Sequence, residues 1–437
     1  MTALHIAADL NAVRIAALLV RFGADKDQRD EAGKTALQYA QEKGNREVAL
    51  ELRLTRPRKD EREVFGQGRY SRDGSPTPKK SRTDPDSWMD PRSNPHSMQV
   101  VENPGYTCKT DLPFSRVLGE DMPRIPYKRR KGETKTVIHW GQRKLLMSEI
   151  EFLTLFGAPG RMVVYAGAAP GTHIAFLSGM FPELRFFLVD PAPFTVKPND
   201  KIEIVQDLFS DDMARQLGEK HPAGLLFISD IRSADWERDT DKVIEEKVRR
   251  DMGMQQQWHM LMRPLRSMFK FRLPWAAGCT EYLDGDVYLP VWGPITTTET
   301  RLITKESTTS LMSYDHKKYE EQLFYFNTVA RPALYPHGVR GEGIDHCYDC
   351  RAEIEILSSY LTKFQGVPAE AVAQEVQAMS RQISRQIARN RTLLDPNPDP
   401  GDRKQRIQRN QWINNRPAYE NYAGYGRKGG DFDDRSD

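Results

Sequence analysis

The sequence is short of cysteine, of long apolar runs and of net charge, and each shortage excludes something. Four cysteines, at positions 108, 279, 347 and 350, are too few and too unevenly spaced for a disulfide framework. A reducing compartment is therefore expected, cytoplasmic with the nucleus as the alternative. Cys347-Tyr-Asp-Cys350 beside His346 has the spacing of half a metal site. No second pair stands at ligand spacing, so no metal is expected. No apolar run approaches the roughly 20 residues that span a bilayer, and no signal peptide precedes the first helical pattern, so no membrane association is expected. The formal charge is only +3, from 64 Lys and Arg against 61 Asp and Glu, which implies no strong non-specific affinity for nucleic acid. The charge is uneven, however. Residues 56–92 and 381–409 are rich in Arg and Lys, which suits either RNA backbone contacts or solvated tails.

Also absent are a Gly-x-Gly-x-x-Gly fingerprint and a phosphate-loop lysine, which argues against a dinucleotide or P-loop site. What stands in their place is the stretch from Met162 to Asp230. An apolar run, Met162 to Tyr165, leads into Gly167-Ala168-Ala169-Pro170-Gly171, and a helical pattern follows. Further apolar runs end at Asp190 and Asp230. Strand, glycine turn, helix and strand in this order predict a Rossmann-like α/β sheet with helices on both faces. Its ligand site lies at the carboxyl ends of the strands. Small residues let the backbone approach a ligand, and Asp190 sits where a carboxylate accepts hydrogen bonds from a ribose. Together these point to S-adenosylmethionine.

Four charged residues stand in apolar or tightly turned surroundings around the same predicted sheet. Lys144 lies in an amphipathic helix (GQRKLLMSEIEFL), Asp230 closes FISD, Lys270 lies in the strand-like MFKFRLPW, and Glu299 in the Thr-rich TTTETRLIT. Two amines and two carboxylates form a charge-balanced set that survives partial burial, as isolated charges do not. A lysine with its ordinary pKa near ~10.4 is a poor base at neutral pH. A like charge at ~4 Å, at an effective dielectric of about 20, is worth roughly 4 kcal/mol, or about three pKa units toward the neutral amine. Lys270 is thus the candidate base for a ribose 2′-hydroxyl, with Asp230 and Glu299 as orienters and Lys144 as tuning cation. The bland reading is that all four are ordinary surface charges. Their order and placement at strand ends around the loop favour the cluster.

GQRKLL, VVYAGAAPGTHI, FISDIRS, KFRLPW and ETRL, in this order and at near-equal spacings, resemble the poxvirus cap-specific mRNA 2′-O-methyltransferases, which are also small subunits of poly(A) polymerase. The resemblance covers roughly residues 123–364. It implies a catalytic tetrad at Lys144, Asp230, Lys270 and Glu299. It also implies S-adenosylmethionine contacts at Gln142, Tyr165, Gly167, Ala169, Pro170, Gly171, Asp190 and Phe209. An arginine the family carries two residues past the ribose carboxylate is Ala192 here. For a 7-methylguanine cap, which stacks on aromatic rings and donates to a carboxylate, the resemblance implies Trp275 and Glu342. Tyr127 is the choice for the second ring and Tyr106 the reserve. A second acid of the family is Ala277 here, with Asp284 or Asp286 as possible substitutes. Arg232 and Ser233, after the catalytic aspartate, stand where a loop holds the first nucleotides by phosphate contacts; Arg232 reads equally well as a surface arginine.

The first residues carry an internal repeat. TALHIAA at Thr2 recurs as TALQYAQ at Thr35, a period of 33 residues, with Gly23-Ala24-Asp25 closing the first unit. This is the spacing of ankyrin repeats, in one and a half to two units, read either as a protein-docking arm or as a vestigial helical appendage. The layout expected is an ankyrin-like segment over 1–54, a flexible basic and Pro-rich linker over 55–105, a methyltransferase domain over 106–365, a helix over 366–394 and a disordered tail over 395–437. Partners expected are capped mRNA, a poly(A) polymerase or other RNA-processing protein, and a protein at the ankyrin-like arm. Two further functions compete: ribose methylation of structured RNA, and a non-catalytic processivity subunit.

Overall fold

A computed structural model describes residues 107–128, 141–387 (except 223, 236–237, 294–296 and 342) and part of 2–52. The linker and tail anticipated above lie outside the described residues. The chain divides into two compact units, Met1–Ser81 and Arg82–Asp437. Among the described residues, no helix is long and apolar enough to cross a membrane.

In the first unit, α1 (Ala3–Asp9) and α2 (Ala36–Glu42) begin one 33-residue period apart, each behind a threonine in extended conformation. Thr35 and Gln38 form a reciprocal capping pair, side chain to backbone N–H in both directions. At the equivalent place in the first repeat, His5 accepts from the Thr2 N–H and turns its other ring nitrogen to the Lys34 carbonyl at 2.9 Å. Asn45 donates to the carbonyls of Ala8 and Asp9. These cross-repeat bonds join units whose shared apolar core is small, with Leu4, Ala8, Ala36, Ala40, Val48 and Leu52 at its centre.

The second unit is built on a seven-stranded sheet. Its elements in chain order are α3 (Gly141–Phe156), β1 (Met162–Ala166), α4 (Ile174–Met180), β2 (Arg185–Val189), β3 (Ile202–Val205), α5 (Asp211–Lys220), β4 (Leu226–Ser229), α6 (Asp241–Met262) and β5 (Arg266–Phe271). Then follow β6 (Cys279–Leu283), β7 (Gly285–Tyr288), β8 (Thr300–Thr304), β9 (Leu311–Asp315), α7 (His316–Tyr325), a π-helical turn (Phe326–Ala330), α8 (Tyr348–Gln365) and α9 (Ala369–Ile387). The strand order is β3-β2-β1-β4-β5-β8-β7, and β6 and β9 form a separate two-stranded ribbon. Strands β1 to β5 pair in parallel; β8 pairs antiparallel with β5 and β7. β1 and β4 are apolar almost throughout because helices cover both faces of a parallel sheet. Right-handed crossovers put α4 and α6 on opposite faces, since the order reverses at β1. That reversal opens a crevice beyond the carboxyl ends of β1 and β4.

Local signals set the helix ends. Ser210 caps α5 ahead of Asp211 and Asp212, which complement the helix dipole, and Gly366 ends α8 in the left-handed region at φ 61°. Helix α9 packs on the unit through a buried charge pair. The Arg143 guanidinium on α3 grips Glu353 on α8 at 2.5 and 2.9 Å and donates to Ser380 and Ser384 on α9. Trp292 donates its indole N–H to the same carboxylate at 2.6 Å.

Candidate active site

The loop after β1 is held against two other strand ends. The N–H of Gly167 donates to the Val189 carbonyl on β2, and that of Asp230 to the Ala166 carbonyl on β1. Gly167 has φ +83°, and a Cβ there would meet the Ile231 nitrogen at 2.9 Å, so only glycine lets the two segments approach so closely. Asp190 is buried just past β2. One of its oxygens accepts from the Ala169 N–H at 3.1 Å, the other from the Ala192 N–H at 2.8 Å. These bonds fix the orientation of the carboxylate. Pro170 and Gly171 complete the turn. Tyr165 at the end of β1 is fully buried, and burial beside Glu149 holds its phenol well above the usual range. It donates to Glu149 on α3, and His173 at the start of α4 bonds the same carboxylate. Phe209 occupies a core position, its ring against Phe227 and Trp258. Gln142 lies in the first turn of α3, its side chain outside the described residues.

The four charged residues converge. Lys144 Nζ lies 2.6 Å from Glu299. Lys270 Nζ lies 3.4 Å from Asp230 and 3.8 Å from Glu299. Strand register explains the meeting: Lys270 on β5 is paired with Arg301 on β8 and Phe271 with Thr300, which leaves Glu299 just past the strand at the same sheet end as Asp230. The set is not charge-balanced, contrary to expectation, because two arginines join it. Arg301 bridges both carboxylates, 2.8 Å from Asp230 and 3.1 Å from Glu299, and Arg232 approaches Glu299 at 3.9 Å. Four cations face two anions.

The carboxylates take their short contacts from Lys144 and Arg301, and Lys270 is left with the long ones. Burial pushes the Lys270 amine below the ordinary lysine range; its acidic neighbours offset this only in part, and Arg232 and Arg301 add to it. Burial acts on the carboxyls in the opposite sense, but the cations outweigh it. Lys270 and Arg301 hold Asp230 below its usual range, and Lys144, Lys270 and Arg301 hold Glu299 well below its own. The arrangement can therefore present an amine that gives up its proton more readily than an ordinary lysine, beside fixed positive charge that stabilises an oxyanion.

Other predicted residues sit as follows. The Trp275 ring, in the loop after β5, carries the Arg272 guanidinium 4.1 Å from its centroid. The Trp275 backbone N–H donates to Glu245 on α6 at 2.7 Å, and Arg272 is paired to the same glutamate. Tyr127 lies edge-on to Phe324 on α7. Ser233 gives its N–H and hydroxyl to the buried Asp251 and accepts from Arg250, so it anchors the loop that Arg232 rides on. Glu342 and Tyr106 lie outside the described residues. Asp284 and Asp286, the possible substitutes for the missing cap acid, flank Gly285 on β7. Gly285 pairs with Thr304, at the far end of β8 from Glu299, and Asp286 is bound to Lys305 there.

Sequence reading missed Arg301 and Glu149. Arg301 had a signal, since alternation puts residues 299 and 301 on one side of an extended segment. Glu149 had none: its partners lie 16 and 24 residues away and meet it only when α3 folds under the loop.

The chain is similar to several known proteins. Cap-specific mRNA (nucleoside-2′-O-)-methyltransferases of myxoma virus (strain Lausanne) and fowlpox virus (strain NVSL) are 27% and 26% identical to the chain, over 45% and 51% of its length. The chain covers 63% of the myxoma protein and 76% of the fowlpox one. A structure of bluetongue virus VP4, described as a multifunctional RNA-capping production line, aligns at 12% identity. It covers 53% of this chain and 37% of that one with a TM-score of 0.32, too slight to bear on the fold. Residues 1–59 match the ankyrin-repeat model. Residues 114–365, more than half of the chain, match the model of the poly A polymerase regulatory subunit, and the chain belongs to that family.

Proposed function

We propose that this chain is an S-adenosylmethionine-dependent mRNA cap 2′-O-methyltransferase, acting on the ribose of the first transcribed nucleotide. The observation that carries this reading is the meeting of Lys144, Asp230, Lys270 and Glu299 at the sheet end that bears the glycine loop, with Lys270 the least tightly paired amine. The loop fits the cofactor: it is small-sided, offers backbone, and has the Asp190 carboxylate at hand for ribose hydroxyls. Gly167, Ala169, Pro170, Gly171 and Asp190 would hold it, with Gln142, Tyr165 and Phe209 assigned there by family likeness. S-adenosylmethionine supplies a methyl group made electrophilic by its sulfonium.

The residues of this chain do the rest. Lys270 accepts the hydroxyl proton or steers it toward Asp230, and Arg301 and Lys144 keep both carboxylates ionised. The excess positive charge stabilises the alkoxide. Much of the rate comes from holding the hydroxyl and amine in line, where effective molarities of about 10⁵ M and above are available. Trp275, its ring backed by Arg272, serves as a stacking platform for a cationic base, with Tyr127 and Glu342 as its partners; Arg232 lies toward the RNA phosphates. Poly(A) polymerase and a protein docked on the ankyrin repeats are the partners proposed.

The test is methyl transfer from labelled S-adenosylmethionine to short RNA with and without a 7-methylguanosine cap, followed by nuclease mapping. Label confined to the first ribose of capped RNA is expected. Equal labelling of uncapped structured RNA would favour the ribosomal or transfer RNA reading instead, and no transfer at all would leave the processivity role.

A further inference from the structure

Away from the sheet end, the start of α8 gathers three metal-ligating side chains. Cys347 is the residue that caps α8 and Cys350 stands in its first turn, so the helix brings both sulfurs to one end. Asp345 folds over that end, its carboxylate accepting from the Cys347 N–H at 2.8 Å while its own N–H points to the Cys350 sulfur at 3.3 Å. All three residues are buried, and their donor atoms lie within 4.8 Å of one another. A tetrahedral zinc ion, with Zn–S of about 2.3 Å and Zn–O of about 2.0–2.2 Å, holds such donors about 3.5–3.8 Å apart. A contraction of at most about 1.3 Å closes the site.

We propose that Asp345, Cys347 and Cys350 bind a structural zinc ion that fastens the segment entering α8. Thiolate ligands select a soft ion such as zinc over magnesium or calcium. A redox role suits the site less well. Exchange needs an accessible thiolate, whereas Cys347 is 0% and Cys350 2% exposed, and a dithiol switch has no use for the carboxylate between them. The remaining corner of the tetrahedron calls for a donor other than cysteine. A water molecule fills such a corner where the protein supplies three ligands. The backbone bonds within the segment already aim carboxylate and sulfur inward, as outer-shell bonds do around a bound ion. Spacing between cysteines and histidines hid the site, because the third ligand is an aspartate.

The test uses the full chain without a histidine tag, stripped with a chelator and titrated with Co2+, then Zn2+. One equivalent of cobalt with a thiolate charge-transfer band, displaced by zinc, is expected, together with a zinc-dependent rise in Tm. C347S and C350S should each lose the band and bind at least about tenfold more weakly, with C279S as the unaffected control. No band in the folded wild-type chain overturns the proposal, as does a band that survives in both C347S and C350S, or a 347–350 disulfide in protein purified under reducing conditions. Because the wild-type titration decides by itself, a variant that fails to fold does not blunt the test.

Discussion

At the scale of single residues, the site turns on which cation each carboxylate prefers. Arg301 and Lys144 take the short contacts, which frees Lys270 to act. Lys270→Arg should abolish methyl transfer, because a guanidinium does not deprotonate, while equilibrium binding of S-adenosylmethionine stays within about twofold of wild type. Methyl transfer retained in that variant would remove Lys270 as the base. Arg301→Met should cut kcat by roughly 10²-fold or more, in the range of lost electrostatic stabilisation. It should also move the pH profile: with one neighbouring cation gone, the amine titrates higher and the acid limb shifts to higher pH. A merely structural role for Arg301 would lower kcat without that shift. In the wild type, activity should climb with pH through the Lys270 titration, which burial places below the ordinary lysine range. Asp230 was legible because it stands where an apolar run stops, and Lys144, Lys270 and Glu299 because each is a charge set within an amphipathic helix or a strand-like segment. Glu149 and Arg301 were not, since their meaning depends on partners brought from other elements.

At the scale of elements, the sequence foretold which segments are helix and strand better than how they interlock. Periodicity marks α3, β1, β2, β4 and α9, and the helical run beginning AEAVAQ coincides with α9. Nothing in it reveals that Arg143 reaches Glu353 across 210 residues and joins Ser380 and Ser384 to the pair. The boundary expected at 365 therefore divides one packed body. Burial works against the Glu353 carboxyl, and Arg143 with its hydrogen-bond partners holds it below its usual range. Arg143→Ala should destabilise the second unit by about 3–5 kcal/mol, because it strands a buried carboxylate; urea unfolding measures this. A loss below about 1 kcal/mol would mean that Glu353 finds another partner or water.

At the scale of the whole molecule, two units with separate cores predict separate responses. The ankyrin match spans 59 residues, under two 33-residue periods, and such an array buries little. Its thermal transition should precede that of the second unit in calorimetry, and removal of residues 1–81 should leave methyl transfer within about threefold of the full chain. A truncated chain that does not fold would show that the units depend on each other. Acid should act on the Lys144–Asp230–Lys270–Glu299 cluster: Asp230 and Glu299 titrate lower in the folded than in the unfolded chain. Their contribution is therefore complete above the unfolded values of about 4 and fades as pH falls through the folded ones. Stability of the second unit should be level near neutrality and decline below about pH 4, as unfolding midpoints at pH 7 and pH 3 would reveal.

The antiparallel pairing of β5 with β8 has a lasting consequence. Because the ladder pairs Lys270 with Arg301 and Phe271 with Thr300, the segment between the two strands, which begins at Arg272 and ends at Glu299, is clamped at both ends. It carries Trp275, β6 and β7. Side chains in its loops can change without moving Lys270 or Arg301, whose positions the ladder fixes. On the proposed function, recognition by this segment is in this way uncoupled from the chemistry at Lys270. A slip of one position in the clamp, by contrast, would turn Lys270 to the opposite face of the sheet and silence the chemistry at a stroke.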